Sequence, residues 1–315
     1  MTGFYCTVPM ALAAFGEGDA EVEKFLDYAI PYMISVTYPY GSEDGWNQGQ
    51  WYVLYGAMGS TDAAGVTYLL ANVFPEARFD LNPFWHGSAD WWMRMTPVKW
   101  QQYTGPWGDT GYGALTTWRT HDHRNLALMT HNGEAWQHHT NHVFTDGSGD
   151  APEFYEVSPR YQFWPPPTPA TNAVKARVYP REGWVIASSL APNRIDAFTN
   201  GLTIISHARP RGSEMNHSDM TDGSFELFAH GAALTDAGDT SYGKHGMQNY
   251  DLFVDGVGPG FPHRWPVEPV YGYVRAFTNT SAFTYFALDL TACYPRTNFI
   301  VLGNGSGPFG NTTTE

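Results

Sequence analysis

The stretch SPRYQFWPPPTPATN, Ser158 to Asn172, separates two kinds of sequence in this chain. It holds five prolines, and each fixes φ and removes a backbone donor, so the segment reads as a stiff, extended connector. Before it, apolar residues recur at helical spacing. In AEVEKFLDYAIPYMISV they fall at Val22, Phe25, Leu26, Ala29 and Ile30, with Asp19 placed to cap the helix. NQGQWYVLYGAMGS and TDAAGVTYLLANVF predict two further helices, the second opened by Thr61 and Asp62. SADWWMRM and LTTWRTHDHRNLALMTHN extend the same array. Short helices divided by Gly- and Pro-rich turns predict successive hairpins rather than a bundle of long helices. After the connector the pattern changes to strands: WVIASS, GLTIISHA, SFELFAHG, YDLFVDG, YGYVRAFTN and FTYFALDL, punctuated by Gly, Asp, Asn and Pro. Many short strands with turn signals between them predict an antiparallel β-sandwich. The expected class is therefore α+β and multidomain. Helices occupy residues 1–165, a Pro-rich linker 166–175, and strands 176–315.

Composition narrows the function. The chain has 315 residues, room for two domains with their own cores, and 43% of them are hydrophobic, as in a globular protein. No apolar run approaches a membrane span, and no charged-then-apolar leader pattern opens the sequence. Asp and Glu number 31 against 17 Lys and Arg, a net charge of -14. That balance excludes non-specific nucleic-acid binding, which needs a basic surface to displace counterions. It leaves room for an anionic substrate in a locally basic cleft. Aromatic residues reach 16%, with 12 Trp and 19 Tyr, many beside Gly, Gln, Asn and Asp, as in DGWNQGQWYVLYG and FWHGSADWWM. Large cores account for part of this excess. Sugar-binding clefts account for it too, because flat rings stack on sugar C–H faces. Cys6 and Cys293 fit no metal spacing and read as small buried residues.

The richest polar segment is RGSEMNHSDMTDGSFELFAHGAALTDAG, Arg211 to Gly238. Asn216 and His217 precede a strand in which Phe225, Leu227 and Ala229 share one face and Glu226 and Phe228 the other. In isolation such a His is more often a hydrogen-bonded turn residue than a catalyst. Its context is more specific: Asn-His, then Gly-Ser-Phe-x-Leu, then Gly-x-x-Leu-x-Asp-x-Gly, then NYDLFVDGVG. This order resembles the β-sandwich core of the heparinase II/III-like polysaccharide lyases. YPREGWVIASS (Tyr179 to Ser189) looks like the strand that opens that sandwich, and FALDLTACY (Phe286 to Tyr294) like a later strand ending in Tyr. DGWNQGQWYVLYG (Asp44 to Gly56) looks like the family's Gly-x-x-Tyr-x-x-Tyr active-site helix. The PRGSEMNHS version looks closer to the alginate-lyase-like branches.

The resemblance implies an incomplete (α/α) toroid followed by an antiparallel β-sandwich, with an acidic polysaccharide or oligosaccharide between them. It implies β-elimination on a uronate, alginate foremost, with Tyr52 and His217 as the catalytic pair and Tyr55 as the competing tyrosine. A phenol titrates near pH 10, so Tyr52 serves as an acid unaided and as a base only beside cations or donors. Asn216 and Arg211 are the implied carboxylate partners, and Trp46, Gln48, Tyr55 and Tyr294 the implied substrate contacts. Secretion or a periplasmic location follows from the same likeness. By the family's pattern a further Asn or His would fall at or before Met1, and the sandwich would continue past GNTTTE, so the chain is expected to be trimmed at both ends. The chemistry needs no cofactor. Where several family members hold a structural zinc, the resemblance puts Asp219, Asp236 and Asn249, an oxygen-rich set that suits zinc poorly and leaves calcium, or no metal, as the alternatives, with His245 able to restore zinc.

Two rival readings remain open. One is a non-catalytic glycan-binding protein on a lyase scaffold. The other is a zinc hydrolase built on HDHRN and WQHHTNH, where His138 and His142 stand four apart as helix-borne ligands do, although no Glu lies between them.

Overall fold

The computed structural model describes residues 2–40, 44, 63–96, 98–99, 118–146, 164–208, 222–235, 272–294, 301–304 and 311–314. Among these, six helices precede the strands: α1 (Thr2–Ala14), α2 (Ala20–Tyr40), α3 (Ala63–Val73), α4 (Pro83–Met95), α5 (Trp118–Met129) and α6 (Gly133–Asp146). The cap on α2 is the expected one, because the Asp19 carboxylate accepts the Glu21 N–H at 2.9 Å. Glu21 and Glu23 also favour the positive end of that helix. Thr61 and Asp62, expected to open α3, lie outside the described residues. Helix α4 begins five residues ahead of SADWWMRM. Asn82 caps it by accepting the Phe84 N–H at 3.0 Å, and Pro83 occupies the first turn, where its missing donor costs nothing. Asn132 does the same for α6, accepting from Glu134 and Ala135 at 3.0 Å each.

Helix α4 is buried on nearly every side: Phe84, Trp85, Ala89, Trp91, Trp92, Met93 and Met95 are all sealed from solvent. A helix with no polar face belongs in the interior. It packs against α5 and α6 on one side and the first sheet on the other.

That sheet has five antiparallel strands in sequential order: β1 (Ala176–Tyr179), β2 (Trp184–Ser188), β3 (Leu202–His207), β4 (Phe225–Ala229) and β5 (Ala232–Ala233). A short helix, α7 (Ala197–Asn200), joins β2 to β3. Register places Tyr179 beside Trp184, Trp184 beside His207, Ile186 beside Ile205, and Ile205 beside Glu226. These residues share one face, and Tyr179, Trp184, Ile186, Ile205 and Phe228 belong to the same buried core as Trp85 and Trp91 of the helices. On β4 the pleat alternates as expected, and Glu226 and Phe228 are on the inward side while Phe225 is exposed. Two hairpins follow, β6 (Tyr273–Asn279) with β7 (Thr284–Asp289) and β8 (Val301–Asn304) with β9 (Asn311–Thr314). Cys293 is buried, as expected.

Helices and sheet are joined by a buried polar lock. Asp90 of α4 receives Arg94 Nε at 3.2 and 3.1 Å and Arg94 Nη2 at 3.1 Å. The Tyr179 hydroxyl of β1 donates to the same carboxylate, Arg177 Nη1 lies 3.3 Å from it, and Arg94 Nη1 donates to the Val174 carbonyl. Burial, then the negative charge of Asp90, push the Tyr179 phenol well above its ordinary range, so it stays a donor. Removing one partner of a buried pair strands the other charge. Asp90→Ala is therefore expected to lower stability by about 3–5 kcal/mol, and Tyr179→Phe by roughly 2 kcal/mol, in urea unfolding followed by Trp fluorescence. Losses below about 1 kcal/mol for both would mean that the lock does not hold helices and sheet together.

Candidate functional site

Most of the residues expected from the sequence to carry chemistry lie outside the described residues: Trp46, Gln48, Tyr52, Tyr55, Arg211, Asn216, His217, Asp219, Asp236, Asn249 and His245. Tyr294 is described. It is half-buried and extended, directly after a short 3-10 turn (Thr291–Cys293). The structure does describe Asp44, ahead of the Tyr52 motif, and Ala208 and Asp222, on either side of the His217 segment, and Asp44 and Ala208 meet at one point.

That point is the turn between β1 and β2, Pro180 to Gly183. The Gly183 N–H donates to the Tyr179 carbonyl at 2.7 Å and closes the turn on the strand that Asp90 holds. From the helical side, the Asp44 carboxylate accepts the Arg181 N–H at 2.6 Å, across 137 residues of sequence. Asp44 opens the motif that contains Tyr52. From the sheet side, the Ala208 N–H donates to the Gly183 carbonyl at 2.9 Å. Ala208 is the last described residue before the segment that contains His217.

The other end of that segment is also pinned. The Gly223 N–H donates to the His207 carbonyl at 2.7 Å. Gly223 has φ +90°, a backbone conformation that favours glycine, and a Cβ there would crowd the Leu290 side chain. Leu290 leads into the turn that ends at Tyr294. Gly272 adds a third contact, since a Cβ on it would lie 3.0 Å from that of Ala208.

Around this junction the interior is unusually polar. Glu182, His207, Asp222, Ser224 and Glu226 are each at most 3% exposed. The His207 ring stacks on Trp184 at 4.1 Å and 19°, and Trp91 meets Trp184 edge-on at 5.9 Å. Ser206 Oγ donates to the Ser224 carbonyl at 2.9 Å. Buried polar groups are costly unless partnered, and each of these five takes part in further interactions within the core. Sequence reasoning did not single out Glu182 or His207 as buried; for His207 the available signal was its place at the end of the strand run GLTIISHA.

The rival histidine cluster is a separate, interior feature. His138 and His142 stand on α6, and their rings stack at 5.8 Å and 17°. His138 Nε2 lies 2.5 Å from the Thr96 carbonyl oxygen and donates to it, which leaves Nδ1 to accept from His123 Nδ1 at 3.3 Å. His123, His138, His139 and His142 are all buried. Burial, then the neighbouring His142, pull His138 down to about 3. Burial, then His138, hold His123 well below its ordinary value. Both stay neutral at physiological pH. Among the described residues no group of three or more His, Cys, Asp or Glu is disposed to hold a metal, so the zinc reading finds no ligand set there.

No protein-family model and no curated protein matches the chain. Solved structures do. A heparinase III with methylated lysines matches with a TM-score of 0.59 at 9% identity, over 94% of this chain and 41% of its own. A heparan sulfate lyase mutant from Pedobacter heparinus matches with a TM-score of 0.56 at 12% identity, over 88% of this chain and 39% of its own. A further heparinase III structure matches with a TM-score of 0.52 at 11% identity, over 83% and 38%. The fold is thus heparinase III-like, helices followed by antiparallel sheets, and the chain spans about two fifths of the length of these neighbours. They are heparinases by name, so the expected leaning toward the alginate-lyase-like branch gains no support. No helix among the described residues is long and apolar enough to cross a membrane.

The depressed histidines set a pH dependence with a definite sign. An unfolded histidine takes up a proton near pH 6.5, whereas folded His138 does so only near 3. Between those values the unfolded chain binds more protons, so the contribution of His138 is complete above about pH 6.5 and is lost as pH falls. The expected slope is about 1.4 kcal/mol per pH unit from His138, with His123 acting in the same direction. Urea unfolding at about pH 5 and about pH 7 should show it, and His138→Gln should flatten it. An unchanged slope in that variant would contradict the assignment.

Proposed function

We propose that the protein is a polysaccharide lyase that cleaves a uronate-containing acidic polysaccharide by β-elimination. The observation that carries this reading is the convergence of the Asp44 and Ala208 flanks on one turn, in a chain whose fold is heparinase III-like. Tyr52 and His217 lie eight and nine residues beyond those anchors in sequence.

In the proposed reaction one of the pair removes the proton at C5 of the uronate. The freed electron pair forms the C4=C5 double bond as the C4–O glycosidic bond breaks, and the other residue protonates the departing oxygen. The C5 proton is barely acidic beside a charged carboxylate, so much of the barrier reduction must come from donors aimed at the developing enolate. Arg211 and Asn216 take that role, Arg through its bidentate fork. Trp46, Gln48, Tyr55 and Tyr294 contact neighbouring sugars, in the cleft between an incomplete (α/α) toroid and a β-sandwich. Lys175, Arg177 and Arg181 are exposed along β1 and its turn, a local cationic strip that suits a polyanion despite the acidic total.

Asp219, Asp236 and Asn249 offer only oxygen donors, which fit calcium better than zinc; an ion there would brace the sandwich, and no chemical step runs through it. We also infer a secreted or periplasmic location, where such polymers are met.

The heparinase neighbours make heparan sulfate the first substrate to test, followed by alginate, hyaluronan and ulvan. Incubation should release products with the ultraviolet absorption of a 4,5-unsaturated uronate. Tyr52→Phe and His217→Ala should each lower turnover by at least about 100-fold. Glycan binding without product would favour the non-catalytic alternative. Unchanged turnover in both variants would discard the pair.

A further inference from the structure

We propose that the Pro-rich connector is a brace rather than a hinge: it is fastened to helices and sheet from Trp164 to Lys175 and opens only when the whole molecule unfolds. This property belongs to the frame itself and holds whether or not the lyase reading does.

A segment that joins two kinds of structure is the ordinary place for relative motion, because few contacts cross it. Proline stiffens such a segment but does not attach it to anything. Here attachments recur every few residues. The Trp164 N–H donates to the buried Tyr68 hydroxyl of α3 at 3.0 Å. The Trp164 ring meets Tyr68 edge-on at 5.4 Å and lies flat against His131 at 5.3 Å and 8°. The Ala170 N–H donates to the carbonyl of Gly133, the first residue of α6, at 3.0 Å. Ala173 is buried with Met93 of α4 and with Ala191, just after β2. Arg94 of α4 donates to the Val174 carbonyl, and the Lys175 carbonyl accepts the Ser188 N–H of β2 at 2.8 Å.

Two residues set the seat. A Cβ on Gly133 would stand 2.2 Å from the Thr168 carbonyl oxygen and 3.3 Å from its carbon. Both are backbone atoms and cannot swing aside, so the connector lies this close only because residue 133 has no side chain. Asn193, in the connection between β2 and α7, is fully buried and clips the connector to α6. Its side-chain amide donates to the Ala170 carbonyl at 2.5 Å and to the Glu134 carbonyl at 3.4 Å. Its own carbonyl accepts Asn141 Nδ2 of α6 at 2.7 Å. One residue from the sheet side thus holds connector and helix together.

This seat gives Gly133→Ala a diagnostic sign. Residue 133 is helical, and nothing in its own backbone conformation calls for glycine. Alanine favours the helix and restricts the unfolded chain, so over a free connector the change would be neutral or stabilising. Over a seated connector it is destabilising.

The test is amide hydrogen exchange on the full chain, repeated at urea concentrations below the unfolding transition. The Ala170 N–H should exchange at least about 100-fold more slowly than an unstructured amide. Its protection should fall with urea as steeply as that of Ile186 and Ile205 in the sheet, because all three open only in global unfolding. Gly133→Ala and Asn193→Ala should each speed exchange at Ala170 by at least about tenfold and lower the urea midpoint. Exchange of Ala170 in the folded parent at the unstructured rate, or through an opening that urea does not affect, would overturn the proposal. So would a Gly133→Ala variant with unchanged protection at Ala170 and a midpoint at or above that of the parent. If neither variant folds, the urea dependence in the parent still decides between brace and hinge.

Discussion

One carboxylate organises this molecule. Asp90 sits on a helix that is buried almost all round, where an ionised group survives only if its charge is met. Arg94 meets it from the next turn of the same helix, and Tyr179 and Arg177 meet it from β1. The arrangement forces the edge of the sheet against α4, because Asp90 and Arg94 both draw partners from β1 and the residues leading into it. Apolar packing then completes the contact, with Trp91 against Trp184 and both inside one core shared by helices and strands. The apolar surfaces supply most of the adhesion. The lock selects the register.

Register matters because Tyr179 leads directly into the β1–β2 turn. Four residues later Gly183 hands on both of its hydrogen-bonding groups, the N–H to Tyr179 and the carbonyl to Ala208. Between them the Arg181 amide takes Asp44. A turn that would otherwise be a surface connection thus becomes the place where distant parts of the chain are measured against each other. The route from a buried ion pair to the turn that takes both Asp44 and Ala208 is short and made of named bonds. It requires no motion.

The sequence showed the helical first half and the stranded second half through their periods of 3.6 and 2, and the Asp19 cap through its position alone. It did not show the Asn82 and Asn132 caps, because an Asn before Pro or Gly reads equally well as a turn. The zinc-ligand spacing of His138 and His142 is present in the sequence, but only tertiary packing shows the Thr96 carbonyl and His123 occupying the nitrogens of His138. Glu226 follows a simple pleat argument. That its face turns inward does not, since a carboxylate between Phe225 and Leu227 reads as the exposed position. Asp44 is the sharpest case. Local rules assign it to a turn, and nothing local could reveal an acceptor for residue 181. The proposed pairing of Tyr52 with His217 rests on the order of motifs along the chain.

The central proposal is that one uronate is met by both Tyr52 and His217. A crystal structure of the protein with a uronate oligosaccharide tests it most directly. The predicted result is one sugar ring beside the β1–β2 turn, with Tyr52 and His217 both in hydrogen-bond reach of it and Arg211 or Asn216 at its carboxylate. A sugar bound elsewhere, for instance on the exposed Phe283 and Tyr285 of the β6–β7 hairpin, with Tyr52 and His217 remote from it, would contradict that claim.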